Sequence, residues 1–330
     1  MKRPTLEAVA ARAGVSRATV SRVVNGSSTV NPEIRTAVQR AVEELGYVPN
    51  SAARSLVTQR TGSIGLVVSE PPARVFSDDP FFSQVIRTVS QELEAADKQV
   101  VLMMPSSPAG QTRVERYVAG GHVDGVILLS QHGSDPLPAA LLRTGVPVVS
   151  HGRPVSTARP PYCDADNVAG ARAAVEHLLA RGRRRIATIS GPLDMSAALD
   201  RLAGYRETLS GTGRRSLAAM GDFTRESGAA AMQQLLEDDP DLDAVFAASD
   251  LMAIGAVYTL RKTGRRVPDD VAVVGFDDIE AARFTDPPLT TVRQPIDDVA
   301  QTIVRMLLTG VDEQAAPKIF PTTLIIRDST

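Results

Sequence analysis

The chain has no tryptophan, one cysteine and four histidines among 330 residues. A lone Cys163 excludes an intramolecular disulfide and a cysteine-built zinc cluster. No run of 18 apolar residues occurs, so no segment reads as a membrane-spanning helix. The opening MKRPTLEAVAARAGV lacks the apolar core of a signal peptide, and the expectation is a cytoplasmic protein without membrane contact. Enzyme signatures are missing too: no Gly-x-Ser-x-Gly, no phosphate loop ending in Gly-Lys-Ser/Thr, no His-Glu-x-x-His and no Gly-x-Gly-x-x-Gly. His122, His132, His151 and His177 are scattered and suggest no nucleophile–base pair. The chain is therefore expected not to be an enzyme and to need no cofactor.

Charge is present but unevenly spread. The net charge is −2, yet residues 1–60 carry nine Lys/Arg against four acids. A basic head on an acidic body is the pattern of a nucleic-acid module joined to something else; a merely solvated basic face is the plainer alternative. Within the head, Thr5 can cap a helix over Leu6 to Ala13, and Gly14 can end it in a left-handed turn. Ser16 can cap a second helix to about Val24. Val20, Val23 and Val24 face inward there, and Arg17, Ala18, Ser21, Arg22 and Asn25 face outward. Small residues allow close approach to a major groove, and arginine can fork onto guanine. Asn31-Pro32 starts a third helix, with Ile34, Val38, Ala41, Val42 and Leu45 on one stripe and Gly46 as terminator. The result is an all-α helix-turn-helix head, although any small three-helix bundle keeps valines inside and arginines outside.

TLEAVAARAGVSRATVSRVVNG followed by GYVPNSAARSL resembles the N-terminus of the lactose-repressor/galactose-repressor (LacI/GalR) family. The resemblance continues through LVVSE, HVDGVILLS, RRIATISGPLDM, GDFTRESG and PDDVAVVGFDD, a run most similar to the cello-oligosaccharide-responsive branch. It implies that Arg17, Ala18 and Arg22 read base edges, and that Ser16, Thr19, Ser21 and Asn25 hold the DNA backbone. Thr5 and Ala53 complete the expected DNA-contacting set together with Leu56. NSAARSLV after Pro49 is too short to be a stable helix alone, so folding on binding is expected. The resemblance makes it the hinge helix, with Leu56 wedged into a minor-groove step; an ordinary linker helix is the alternative. The expected domains are a DNA-binding head at 1–49, a hinge at 50–61 and a core at 62–330.

In the core, SIGLVVS, QVVLMMP, DGVILLS, VPVVSH, RRIATISG, DAVFAASD and VAVVGFDD alternate with amphipathic stretches such as FFSQVIRTVSQELEAAD, VAGARAAVEHLLARG and ESGAAAMQQLLED. Short Val/Ile runs followed by helical patterns read as parallel strands with crossover helices, a doubly wound α/β body. About 270 residues suggest two lobes. The resemblance places lobe 1 at about 62–162 and 293–320 and lobe 2 at about 163–292 and 321–330, with a late strand, LIIRD, crossing back. The core then resembles periplasmic sugar-binding proteins, whose ligands lie between lobes at the strands' carboxyl ends.

Strand-end loops rich in Asp, Asn, Arg and Gln suit sugar hydroxyls, and aromatic faces suit C–H surfaces. By resemblance, Arg201 and Asp277 are the most regular effector contacts, joined by Phe82, Phe223, Asp250 and Gln294. Each has a plainer role open to it: Asp250 and Asp277 as helix caps, Phe82 and Phe223 as core, Arg201 in an ion pair inside a lobe. The missing tryptophan departs from several sugar-binding relatives and weakens ring stacking as a theme. The expected function is a repressor of carbohydrate-use genes, released from palindromic operator DNA by a mono- or oligosaccharide. A regulator that a purine-like corepressor drives onto DNA is the alternative. The resemblance attributes tetramers to an added C-terminal heptad segment; here the sequence ends at LIIRDST, so a homodimer is expected.

Replacing the expected wedge gives a first test. Leu56→Ala should weaken operator binding and reduce DNA bending in a gel-phasing assay; unchanged bending removes the wedge from this account.

Overall fold

The computed structural model describes residues 4–24, 29–48, 60–156, 159–312 and 316–330. The chain divides into two compact units, Met1–Gly62 and Ser63–Thr330. The expected sites Asn25, Ala53 and Leu56, and nearly all of the expected hinge, lie outside the described residues.

The first unit is three helices: α1 (Leu6–Ala13), α2 (Arg17–Val24) and α3 (Pro32–Leu45). Each start has a side-chain cap. Thr5 Oγ1 accepts from Ala8 N at 3.3 Å, Ser16 Oγ from Thr19 N at 3.1 Å and Asn31 Oδ1 from Glu33 N at 2.8 Å. Gly14 (φ 67°) and Gly46 (φ 59°) end α1 and α3 in the left-handed region. Val9, Ala10, Val20, Val23, Val38, Ala41 and Tyr47 form the core. Ile34, expected on the buried stripe of α3, is instead exposed at 36%. It sits in the first turn, beyond the reach of the two shorter helices. Tyr47 takes its place in the core from past the end of α3.

The second unit holds two parallel sheets. The first contains β1 (Ser63–Val68), β2 (Gln99–Met103), β3 (Gly125–Leu129), β4 (Val148–His151), β5 (Tyr162–Ala165) and β11 (Lys318–Phe320), in the order β11-β5-β4-β3-β1-β2. Every pairing in it is parallel. Alternate residues serve opposite faces. Ile64, Leu66, Val68, Ile127 and Leu129 enter one core with helices α5 (Pro80–Ala95) and α12 (Ile296–Thr309); Val67, Val126 and Leu128 enter another with α6 (Pro108–Ala119) and α7 (Leu137–Leu142). Both faces are covered, which is why the strands read as unbroken apolar runs. A short helix, α4 (Pro72–Val75), follows β1.

The second sheet runs β7-β6-β8-β9, from β6 (Ile186–Ser190), β7 (Leu217–Met220), β8 (Ala244–Ala247) and β9 (Ala272–Val274). Helices α8 (Asn167–Ala180) and α9 (Ser196–Ser210) cover one face; α10 (Arg225–Asp238) and α11 (Asp250–Lys262) cover the other. Outside both sheets, β10 (Thr291–Arg293) and β12 (Thr323–Ile325) pair antiparallel.

One feature differs from the sequence expectation. The first sheet keeps the chain through Ala165, past the expected break near 162, because β5 is a full member of it. Its sequence YCDA is not among the apolar runs read as strands; in the structure buried Asp164 accepts from Arg153 N at 2.8 Å, Ala165 N at 2.8 Å and Asn167 Nδ2 at 3.1 Å. The late strand in LIIRD pairs with β10 in a two-stranded ribbon. The chain thus passes between lobes after β5, between β10 and α12, and between β11 and β12.

Helices α10 and α11 touch backbone to backbone. A Cβ on Gly255 would lie 2.0 Å from Arg225 O, and one on Gly228 2.3 Å from Met252 O. Neither obstacle is a flexible side chain. Gly255→Ala should therefore cost about 1–3 kcal/mol through overpacking, read as a lowered Tm of the core; an unchanged Tm would show that the helices separate freely.

Candidate functional site

In the head, α2 presents Arg17, Ala18 and Arg22 to solvent, with Ser16 exposed and Thr19 and Ser21 half-buried. Thr5 is exposed at the start of α1. Burial of Val20 and Val23 on the inner face dictates this orientation. Ser16 Oγ and Thr19 Oγ1 are 2.9 Å apart, and Arg17 Nε lies 3.1 Å from Glu7 Oε1. That pair is exposed on both sides, so it costs little to break when a phosphate or a base edge competes.

In the second unit, strand carboxyl ends from both sheets meet across a cleft of about 840 Å³, its mouth included. One wall carries Arg74, Phe81, Phe82, Gln131, His151 and Asp164; the other carries Asn167, Ser196, Arg201, Phe223 and Asp277, with Gln294 at a crossing. The cleft has the size and mixed lining of a small-molecule site.

Its centre is Arg201, only 4% exposed. Nε donates to Asn167 Oδ1 at 2.9 Å and Nη1 to Ala248 O at 2.6 Å. The guanidinium lies 3.8 Å from the centroid of the Phe276 ring, and Nη1 is 3.5 Å from Asp277 Oδ1. Gln294 Nε2 donates to the same carboxylate oxygen at 2.6 Å. Burial lowers the Arg201 pKa while Asp277 and Asp164 oppose the shift; guanidinium starts so high that it stays charged. Burial also pushes the Asp277 carboxyl up to about 7, against the pull of Arg201, and Asp164 up to about 6.

Two of these residues hold unusual backbones. Phe223 has φ 69° and Asp277 φ 118°, both outside the ordinary range of non-glycine residues. Strain of this kind collects where a structure must aim a side chain. The Phe223 ring reaches its place because position 191 is glycine: a Cβ there would stand 2.2 Å from the ring's Cζ.

The structure therefore brings Phe82, Arg201, Phe223, Asp277 and Gln294 to one cleft and leaves Asp250 out of it. The expectation for Asp250 is corrected. Its fully buried carboxylate accepts from Ile279 N at 2.9 Å and from Thr291 Oγ1 at 2.5 Å. Burial and the charge of Asp277 raise its pKa well above the carboxylate range. Asp250 ties the loop that carries Asp277 to β10. Nor does it cap a helix with its side chain, since Ser249 Oγ accepts from Met252 N in that role.

Polar bonds close the mouth. Arg74 Nη1 donates to Asp222 O at 2.7 Å, Arg225 Nη1 to Asp78 Oδ2 at 2.7 Å, and Gly133 N to Asp194 O at 2.8 Å. Arg153 forks onto Asp200, Nε to Oδ2 at 3.1 Å and Nη2 to Oδ1 at 2.5 Å. His132 bridges the lobes, with Nδ1 2.8 Å from Asp194 Oδ2 and Nε2 3.3 Å from Glu70 Oε1. Hydrogen bonding to Glu70 raises its pKa to about 9 against the cost of burial, with Asp194 adding to the rise. Sequence reasoning did not find Arg74; it offered the strand-end loop Ser130-Gln131-His132 as cleft lining but not the bridge that His132 makes. PPARVF and QHGSD carry no spacing signal, because their partners lie 62 to 148 positions away.

With this geometry in place, comparison with known proteins identifies relatives along the whole chain. Residues 5–50 match the family described as bacterial regulatory proteins, lacI family, and residues 175–330 match the periplasmic binding protein-like domain. The HTH-type transcriptional regulator CelR of Thermobifida fusca is 49% identical over 99% of this chain and 98% of its own length. A solved transcriptional regulator CelR–cellobiose complex superposes with a TM-score of 0.78 at 47% identity, covering 99% of this chain and 100% of that one. The lac repressor dimer bound to operator and the anti-inducer ONPF superposes with a TM-score of 0.86 at 32% identity, covering 99% of each chain. Among the described residues, no helix is long and apolar enough to cross a membrane.

The His132 bridge has a defined pH signature. Its folded pKa of about 9 exceeds the ordinary 6.5. Its contribution is therefore complete below pH 6.5 and is lost as pH rises to 9 and beyond. Melting the protein at pH 6.5 and 9.5 should show a larger loss of Tm for wild type than for His132→Gln; equal losses would remove the imidazolium from the lobe contact.

Proposed function

Because the chain belongs to the LacI family of bacterial regulatory proteins, we propose that it is a repressor released from its operator by a neutral glucose-based oligosaccharide, with cellobiose as the first candidate. It is a DNA-binding transcriptional regulator of sugar-use genes and not an enzyme. Its partners are operator DNA, a sugar effector and a second copy of the chain. The finer reading rests on one observation above others: a cleft between two lobes whose facing strand ends bring together Arg201, Asp277 and Gln294 with Phe82 and Phe223. Paired donors and acceptors beside aromatic faces suit a sugar ring better than an anion or an apolar ligand.

In this reading residues 1–49 form the DNA-binding head, 50–61 the hinge and 62–330 the effector and dimer core. Arg17, Ala18 and Arg22 face the base edges of each half-site. Thr5, Ser16, Thr19, Ser21 and Asn25 hold phosphates, and Ala53 and Leu56 serve the hinge. Two heads on a two-fold axis read a palindrome. The effector binds one arrangement of the lobes better and shifts the population toward it. The mouth bonds of Arg74, Arg153, Arg225 and His132 make and break between arrangements, so they set how far a ligand must shift the balance.

Fluorescence anisotropy of a labelled palindrome from the upstream region tests this at fixed salt. Cellobiose should release the DNA; tighter binding with a purine base would replace the reading by a corepressor type. Arg22→Ala should cost about 1–3 kcal/mol on the operator and blur one base pair. Equal losses on operator and random DNA would reduce Arg22 to a phosphate contact.

A further inference from the structure

Two cleft residues carry a buried side-chain atom with no hydrogen-bond partner: Gln131, at Oε1, and His151, at Nε2. They sit on neighbouring strand ends of the first lobe, after β3 and at the end of β4. A third such atom in the cleft, Arg74 Nε, has Glu70 Oε1 3.6 Å away, so its charge is compensated. The other two have nothing. A buried polar atom left without a partner costs free energy, which makes each a place where a ligand group is expected to arrive.

The chemistry of both atoms follows from their neighbours. Ser150 Oγ donates its one proton to Gly152 O at 2.7 Å. Towards Gln131 it can therefore only accept, so the amide nitrogen faces Ser150 and the unpartnered end is the carbonyl oxygen. Burial lowers the His151 pKa to about 4, so the ring is neutral at pH 7 and bears one proton. Nε2 has no partner, so it is the ring atom left for a ligand hydroxyl to meet. Phe81 stands edge-on to the imidazole at 5.5 Å and to Phe82 at 5.4 Å, giving the subsite an apolar flank.

We propose that Gln131 and His151 form a specificity-determining subsite that takes two hydroxyls of a neutral sugar. The assignment rests on the cleft being the effector site. It also fixes the ligand's charge. The cations of the cleft already have partners: Arg201 has Asp277, Arg153 has Asp200, and Arg74 has Glu70 and Asp222 O. A phosphorylated or carboxylated sugar would bring charge to a neutral wall and find no unengaged cation there.

Calorimetry on the full-length chain at pH 7.5 tests this with cellobiose, its monofluorinated analogues and glucose 6-phosphate. A fluorine replaces an O–H donor by a weak acceptor at one ring position. Wild type should bind cellobiose and reject the analogues fluorinated at two positions by roughly tenfold each. His151→Phe should weaken cellobiose by about tenfold and abolish the discrimination at one of those positions. Gln131→Met should do so at the other. His151→Gln, which can offer an oxygen, should recover part of the loss. Operator binding without sugar, read on the same samples, reports folding. If wild type binds cellobiose and both variants match it, or keep its discrimination, the subsite is wrong while the sugar reading stands. Tighter binding of glucose 6-phosphate than of cellobiose overturns the neutral class. A wild type that binds no sugar overturns both.

Discussion

A single buried guanidinium organises the core. Arg201 is almost sealed from solvent, and a charge in that position survives only if its neighbours replace water. Asn167 at the start of α8, Ala248 O at the end of β8 and Asp277 after β9 each supply an oxygen, and Phe276 supplies a π face. Three separate chain segments are thereby held at fixed distances from one atom group. The same demand explains the layer behind them. Asp277 meets Arg201 from a positive-φ backbone, and Asp250 stabilises that loop by accepting from Ile279 N and Thr291 Oγ1. A Cβ on Gly275 would sit 2.1 Å from Asp250 Oδ1, so the strand beside this carboxylate needs a residue without a side chain.

The two walls of the cleft differ in kind. The second lobe is pre-paired: Arg201, Asp277, Asn167 and Gln294 bond to one another before any ligand arrives. The first lobe holds vacancies at Gln131 and His151. A ligand thus exchanges bonds with one wall and adds bonds to the other. Its net gain falls largely on the first lobe, which sets up the differential interaction that an effector must have to shift a population.

Much of this was legible in the sequence where local rules act. Helix caps at Thr5, Ser16 and Asn31, the glycine stops and the seven apolar strand runs depend on neighbours within a few positions, and the structure has them. The family resemblance carried Arg201 and Asp277 to the cleft. Legibility failed where long-range bonds decide. YCDA forms a strand because three donors satisfy Asp164. Asp250 looked like a ligand contact until Ile279 and Thr291 were seen to occupy it. His132 between Glu70 and Asp194, and the unpartnered atoms of Gln131 and His151, depend on which way rings and amides turn. No spacing rule reports that.

The threefold passage of the chain between lobes bears on how the protein is made. The first sheet is bordered by β11, and its core includes α12, both near the end of the chain. A ribosome has therefore translated all of the second lobe's four-stranded sheet before the first lobe can be finished. Until then Ile64, Leu66 and Ile127 lack one of the two helices that cover them. The nascent chain carries an open apolar face through most of its synthesis, a long wait during which aggregation competes with folding. The DNA-binding head, with its own caps and core, is out first and needs none of this. A growing polypeptide of this kind completes the fold that touches DNA well before it completes the core that pairs two such folds and answers to an effector.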